Sequence, residues 1–357
     1  MKKINIMLVC FLALNFFSCS SDDDSSVKNN DAEINAQENE PLEINKVSSA
    51  LIIEGATKKT GSLTPTGGLE FTMDYSKQSA FQQNGFEIEF NSASNYTGVY
   101  IQLKDENGMA DSYFDVPRSE IYISGKGDQT KKDKGFLKGK SAGKENDAAI
   151  EVNLEESVTA GTFCYVICLY DSEGNISEPT EVCVTVEAWG GNSDLVGTWN
   201  FTKDIEDGKE TKVNEVKCYN YNADICEIET AVNNCDTINS LKLELNSDGT
   251  YELNEASLEK NINWEASNQN CQAIYEESNY TYKAIGKWAY SKDGTLTLLT
   301  FSDTETYDEE VYDDIYENGD IDINDKITLN GSSLIVNIPD TDDNGNIFFD
   351  QYFFEKE

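Results

Sequence analysis

Histidine is absent from the 357 residues, and arginine occurs once, at Arg118. Without imidazole, Ser-His-Asp and Cys-His nucleophiles, HExxH zinc sites and Cys2His2 fingers are all excluded. Basic side chains are scarce as well: 27 lysines and arginines face 66 acids, a formal net charge of -39. That balance excludes a nucleic-acid partner, whose phosphates need neutralising. It also repels anionic lipid and glycan while keeping a chain soluble. Prolines number only 5, and 24 glycines are too few for a low-complexity chain, while 11% aromatics suffice to build cores. At about 150 residues per domain the length fits two domains.

Long apolar runs are also lacking. Lys2 and Lys3 precede residues 4–17, which are apolar apart from two asparagines. The run is short for a membrane-spanning helix and has the shape of a secretory signal. It closes on Phe16-Phe17-Ser18-Cys19, which resembles a bacterial lipobox, with Phe16 where leucine is usual. The resemblance implies a lipoprotein signal peptide over residues 1–18, cut before Cys19, and lipidation of that thiol; an ordinary signal peptide is the alternative. Ser20-Ser21-Asp22-Asp23-Asp24 resembles the acidic tract behind the lipidated cysteine of Bacteroidota-type lipoproteins. It implies anchorage in the outer membrane and display at the cell surface. Residues 20–45 hold eight acids, one lysine and no aromatic. Such a segment buries too little apolar area to offset its ordering entropy, so residues 19–45 are expected to be a disordered tether.

Residues 46–188 read as short alternating strands divided by turns, at 50–54, 69–75, 86–90, 99–104, 112–116, 120–124, 148–154, 162–170 and 181–187. Strands at this spacing suggest an antiparallel β-sandwich. The most specific part is a hairpin in which Phe163, Tyr165, Ile167 and Leu169 share a face, residues 171–175 turn, and Val182, Val184 and Val186 return. It resembles the closing hairpin of immunoglobulin-like or fibronectin type III domains, with Tyr165 near the tyrosine-corner position.

Trp189-Gly190-Gly191-Asn192-Ser193 reads as the interdomain break, and residues 192–357 as a second unit. Leu195-Val196-Gly197-Thr198-Trp199 resembles the opening of a lipocalin-like domain. The resemblance gives Gly197 and Trp199 the structural role of plugging one end of an antiparallel β-barrel. Gly286-Lys287-Trp288 and the hairpins at Asp248-Gly249 and Asp293-Gly294 fit the same pattern. About eight strands in this length make a small up-and-down barrel. Secreted lipocalins lay an arginine across the plugging tryptophan, and the one arginine here lies in the other unit. The overall expectation is all-β: an Ig-like sandwich followed by a lipocalin-like barrel.

Beyond Cys10 and Cys19, seven cysteines remain, and in an oxidising compartment disulfides are the default. Cys164 and Cys168 lie about 13 Å apart on one strand, too far to bond. A hairpin centred near Asn175 pairs Cys168 with Cys183 and leaves Cys164 free. The lipocalin-like resemblance pairs Cys235 with Cys271, leaving Cys218 with Cys226. Metal thiolates are the alternative, with no CxxC to favour them.

Asp340, Asp342, Asn344, Gly345 and Asn346 match the start of an EF-hand-type calcium loop, yet Gln351 stands where the bidentate glutamate belongs. Weak calcium binding and a plain hairpin turn both fit. Residues 307–325 hold nine acids and read as a solvated loop or a diffuse cation site. Residues 126–144 carry seven lysines and read as a flexible insertion or an anion grip. Phe348, Phe349, Tyr352, Phe353 and Phe354 make the last strand apolar on both faces. No two of the 66 acids single themselves out as a hydrolase pair.

The expected function is a non-catalytic, outer-membrane-anchored binding or scaffold lipoprotein, its barrel holding a small apolar ligand or its surface meeting a protein partner. Alternatives are a glycan-binding accessory lipoprotein of a nutrient-uptake system and, last, an envelope-polymer hydrolase. No cofactor beyond weak calcium is implied.

Overall fold

The computed structural model describes residues 24–123, 148–206, 208–341 and 347–357. Two helices come first, α1 (Asp24–Gln37) and α2 (Ile44–Ala50). The strands described in the first half are β1 (Leu51–Ile52), β2 (Thr57–Thr60), β3 (Lys77–Phe81), β4 (Phe86–Phe90), β5 (Gly98–Asp105), β6 (Gly108–Pro117), β7 (Tyr122–Ile123), β8 (Ala148–Leu154), β9 (Gly161–Tyr170) and β10 (Thr180–Glu187). They form two sheets, one ordered β1-β8-β4 with β7 beside β8, the other β2-β6-β5-β9-β10-β3.

Period-two alternation sends one face of each sheet inward. Phe163, Tyr165, Ile167 and Leu169 of β9 and Val182, Val184 and Val186 of β10 are buried with Ile88, Phe90, Ile150 and Val152 of the other sheet in one core. Two local expectations are corrected. β3 pairs parallel to β10, Lys77 opposite Cys183, so the sheet is not wholly antiparallel. Residues 69–75 form no strand, only the bridge of Thr72 to Asn91, although Leu69, Phe71, Met73 and Tyr75 pack on the core.

The second half contains β11 (Gly197–Glu206), β12 (Lys209–Lys212), β13 (Lys217–Ile225), β14 (Ile228–Leu245), β15 (Thr250–Ile262), α3 (Trp264–Asn270), β16 (Tyr275–Tyr290), β17 (Thr295–Tyr307), β18 (Glu310–Asn330), β19 (Ser333–Thr341) and β20 (Ile347–Lys356). Successive strands from β13 to β20 pair antiparallel, β20 pairs β11, and β11 pairs back to β14. Strand β11 together with β14 to β20 thus closes an eight-stranded antiparallel barrel, with β12 and β13 as flanking additions. The acidic run 307–325, expected as a loop, is mostly strand: only Asp308 and Glu309 turn between β17 and β18. Period-two pairing with β17 draws it into the wall.

One end of the barrel is filled. Trp199 has no exposed surface, and its Nε1–H donates to the Leu195 carbonyl at 2.7 Å. Trp288 donates to the Asn246 carbonyl at 3.0 Å. Leu243, Leu245, Leu296, Leu298, Ile323 and Phe354 pack around them. Gly286 is required here, since a Cβ would strike the Leu299 carbonyl and the Tyr251 ring. The cation across Trp199 is Lys356, 5.1 Å from the ring centre and bonded to the Asp194 carbonyl at 2.8 Å. On the last strand Tyr352 and Phe354 point inward, while Phe349 is exposed.

The junction is built into both halves. Gly190 donates to the Trp288 carbonyl and accepts from the Tyr290 amide, both at 2.8 Å. Trp189 stacks on Phe81 with 6.4 Å between centroids, beside Ala289 and Leu299. Gly249 at φ +79° lies against Trp189, where a Cβ would collide. The tether expected to run to residue 45 instead joins the fold from residue 31 onward. Asp31 accepts from the Ser193 amide and hydroxyl at 3.0 and 2.7 Å, Ile34 is buried toward Gly190, and Glu38 and Ile44 are buried. The segment is too polar to fold alone, but a preformed surface supplies partners for these few residues.

The expected cysteine pairings are corrected. Cys183 bonds Cys164, its direct neighbour across β9 and β10, and Cys168 is the free, buried thiol. The hairpin centres between Glu173 and Gly174, not at Asn175, and that displacement exchanges one candidate for the other. Cys218 bonds Cys235, directly opposite on β13 and β14, and Cys226 at that hairpin's tip bonds Cys271 at the end of α3. Strand register decides these partners, and spacing alone does not reveal it.

Candidate functional site: an acidic, tyrosine-lined barrel wall

Registers across β14, β15, β16 and β17 set the inward side chains in rows. Leu243, Leu253, Ala284 and Asp303 form one row, just above the filled floor. The next holds Leu241, Glu255, Tyr282 and Glu305. Above it come Ile238, Ser257, Tyr280 and Tyr307, then Asp236, Glu259 and Ser278. Successive rows are two residues apart along each strand, roughly 7 Å. The wall therefore changes from aliphatic to carboxylate and phenol as it leaves Trp199. Burial declines in the same direction, from Leu253 and Ala284 to half-buried Glu259, Ser278 and Tyr307.

Hydrogen bonds tie many of these groups together. Tyr251 and Thr300 bond each other and Asp322, and the Asp303 Oδ2 accepts from the hydroxyls of Tyr282 at 3.4 Å and Tyr316 at 2.9 Å. Beside β14, Tyr352 of β20 donates to Glu206 of β11 at 2.8 Å, and the ammonium of Lys217, paired across β13 and β14 with Asp236, bonds Asp204 at 3.0 Å and also Glu206. Four carboxylate oxygens of these residues are buried without a hydrogen-bond partner: Glu255 Oε2, Asp303 Oδ1, Asp236 Oδ1 and Asp204 Oδ1. Glu255 and Asp303 are only 8% and 4% exposed.

The energetics follow from burial. Removal from water, reinforced by the charges of Glu259 and Asp236, pushes the Glu255 carboxyl up to about 7. Burial likewise raises Glu259 and Asp236. Tyr280 and Tyr282 are raised by burial and then by neighbouring carboxylates, so they stay as neutral donors. Asp204 is raised by burial against the opposing pull of Lys217. Burial thus favours the protonated forms of Glu255, Glu259, Asp236 and Asp204.

A cleft of about 780 Å³ lies between the sheets and the barrel, lined by Ser79, Phe81, Thr185, Glu187, Thr297 and Asn324 among others. The Ser79 hydroxyl donates to Glu187 at 2.5 Å, and burial, then the neighbouring Glu38, raises the Glu187 carboxyl to about 7.

Of the residues singled out from sequence, Gly197 and Trp199 sit at the filled end, far along β11 from the acidic rows. Cys19 and the lysine-rich run 126–144 lie outside the described residues. So do Asp342, Asn344 and Asn346; of Asp340 only the backbone is described, on β19 opposite Phe348. The acidic wall went unread. Its signal was the continuation of Tyr251-x-Leu253 alternation into Glu255, Ser257 and Glu259.

A scan against family models, a comparison with curated proteins and a comparison with solved structures each find no match.

Proposed function

We propose that the protein is a lipid-anchored, non-catalytic binding protein of the outer membrane, displayed at the cell surface through an acylated Cys19. In this reading the N-terminal sheets are an Ig-like spacer and the barrel is a lipocalin-like cup. Lys356 stands across Trp199, the position an arginine takes in secreted lipocalins, and this supports the kinship. The observation that carries the reading is the division of the barrel interior into a filled aromatic floor and a carboxylate- and tyrosine-lined upper wall. That division moves the expected ligand from apolar to polar and charged. A binding role, not a hydrolytic one, suits carboxylates spread over many rows without one isolated acid–base pair.

A glycan-binding accessory role is the second reading, favoured by the cleft at the junction, which hydroxyl, amide and charged side chains line together.

Native mass spectrometry of the whole protein, released gently from the producing cell's membrane, tests the binding role. A reproducible added mass that disappears on unfolding is the expected result. A bare mass from every preparation would contradict it.

A further inference from the structure

We infer that the free edge of β18, over residues 310–315, docks an extended, lysine- or arginine-bearing segment of another protein, which adds to the barrel wall as a further strand. This surface lies along the wall and does not depend on any ligand held inside the barrel.

The first observation is an uncovered strand edge. On one side β18 pairs with β17 from Glu310 to Lys326. On the other side it meets β19 only at Ile327, Thr328, Leu329 and Asn330. Beyond them the two strands part, and the Asn337 amide closes the fork on the Lys326 carbonyl at 3.1 Å. Among the described residues, no strand lies against the free side of residues 310–315. A bulge at residues 316–319 bounds this stretch, and there Asn84 donates to the Asn318 and Gly319 carbonyls at 3.1 and 3.3 Å. A strand edge presents a row of N–H and C=O groups ready to pair with another chain.

The second observation is what the edge shows to solvent. Glu310, Val311, Tyr312, Asp313 and Ile315 are exposed, Ile315 at 81% and Val311 at 58%. Tyr316 reaches inward to Asp303, so Val311 and Ile315, of the opposite parity, lie on the outer face. Register sets Ile315 in one cross-strand row with Ser302 and exposed Ile285. A strand laid beside β18 extends that row and covers Ile315. Edges are commonly guarded by lysine or proline, and residues 310–325 contain neither.

Charge selects the occupant. Residues 310–325 hold seven acids and no basic side chain. A second copy of this chain, edge to edge, sets acid against acid, and the net charge of -39 adds to the repulsion. Glu310 accepts from the Tyr312 hydroxyl and Asp313 from the Thr304 hydroxyl, neutral donors that leave the negative charge uncompensated. A segment that intersperses cations with apolar residues answers both features, its cations facing Glu310 and Asp313 and its apolar side chains Val311 and Ile315. In such strand addition the main chain supplies the hold and the side chains the selection.

Fluorescence anisotropy tests the proposal, with a short labelled peptide alternating lysine and valine titrated with the full chain at physiological salt. Saturable binding is expected, with hydrogen exchange slowed in β18 and unaffected in β9. A peptide with proline in place of each valine keeps the charge but lacks donors for the edge, and it should not bind. The variant Val311→Lys with Ile315→Lys changes exposed positions, so it should fold as the parent does and bind the lysine–valine peptide roughly tenfold or more weakly. Should it fail to fold, the proline peptide and the exchange map decide the matter on the parent alone. No binding, equal binding of the proline peptide, or protection confined to other strands overturns the proposal. So does a parent that sediments as a dimer without peptide and a variant that does not, which would give the edge to a second copy.

Discussion

The Ala188 amide donates to the Glu38 carboxylate at 3.3 Å across 150 positions of sequence. With Asp31 on Ser193 and Ile34 toward Gly190, this bond makes residues 31–42 a strap over the junction. The strap leads from the proposed anchor directly to the contact between the sheets and the barrel. Replacing Glu38 with alanine should cost about 1 kcal/mol, the net value of such a bond. It should also speed hydrogen exchange at residues 31–42 and 188–193 while leaving β14 to β17 unaffected. Unchanged exchange in the strap would contradict this role.

Trp189 couples the two halves. It stacks on Phe81 and receives Lys287 over its ring at 5.3 Å. Trp189→Ala should cost about 2–3 kcal/mol, below the usual range for a fully buried tryptophan because the residue is only half-buried. The parent should unfold in one transition by calorimetry and the variant in two. A single transition in the variant would show that the halves are coupled elsewhere.

Glu187 and Glu255 set a pH dependence. Both carboxyls titrate near 7 in the fold and near 4.5 when unfolded. Between those values the folded chain holds more protons, so stability falls as pH rises from about 4.5 to 7 and levels off above it. Asp293 acts in the opposite sense: bonded to Lys326 and Ser291, it is held well below the usual range, and its contribution is lost only as pH falls below about 4. Denaturant titrations should show the midpoint decreasing from pH 5 through 6 to 7 and levelling by pH 8, with a shallower slope in Glu187→Gln. A midpoint that rises over this range would contradict the assignment.

The cysteine assignments can be checked chemically. Cys168 is buried, and burial pushes its thiol up to about 11, so iodoacetamide should modify it only after unfolding. Peptide mapping without reductant should recover Cys164 with Cys183, Cys218 with Cys235, and Cys226 with Cys271. Recovery of Cys168 joined to Cys183 would move the β9–β10 register by four residues.

Some of this architecture was legible in the sequence. The alternation from Phe163 to Leu169, the Asp-Gly turns and the two Gly-x-Trp motifs each state a local rule that the fold obeys. What stayed hidden depended on distant partners. β3 has little apolar character of its own and becomes a strand by pairing parallel to β10. The strap has too few apolar residues to order itself, and its partners lie more than a hundred residues away. The acidic wall was masked by composition: in a chain with 66 acids, Glu255 and Asp303 look like surface residues until the barrel register turns them inward.

Native mass spectrometry of the whole protein, released gently from the producing cell's membrane, tests the central claim most directly. The account predicts a reproducible added mass that is lost when the protein is unfolded. A bare mass from every preparation would contradict it.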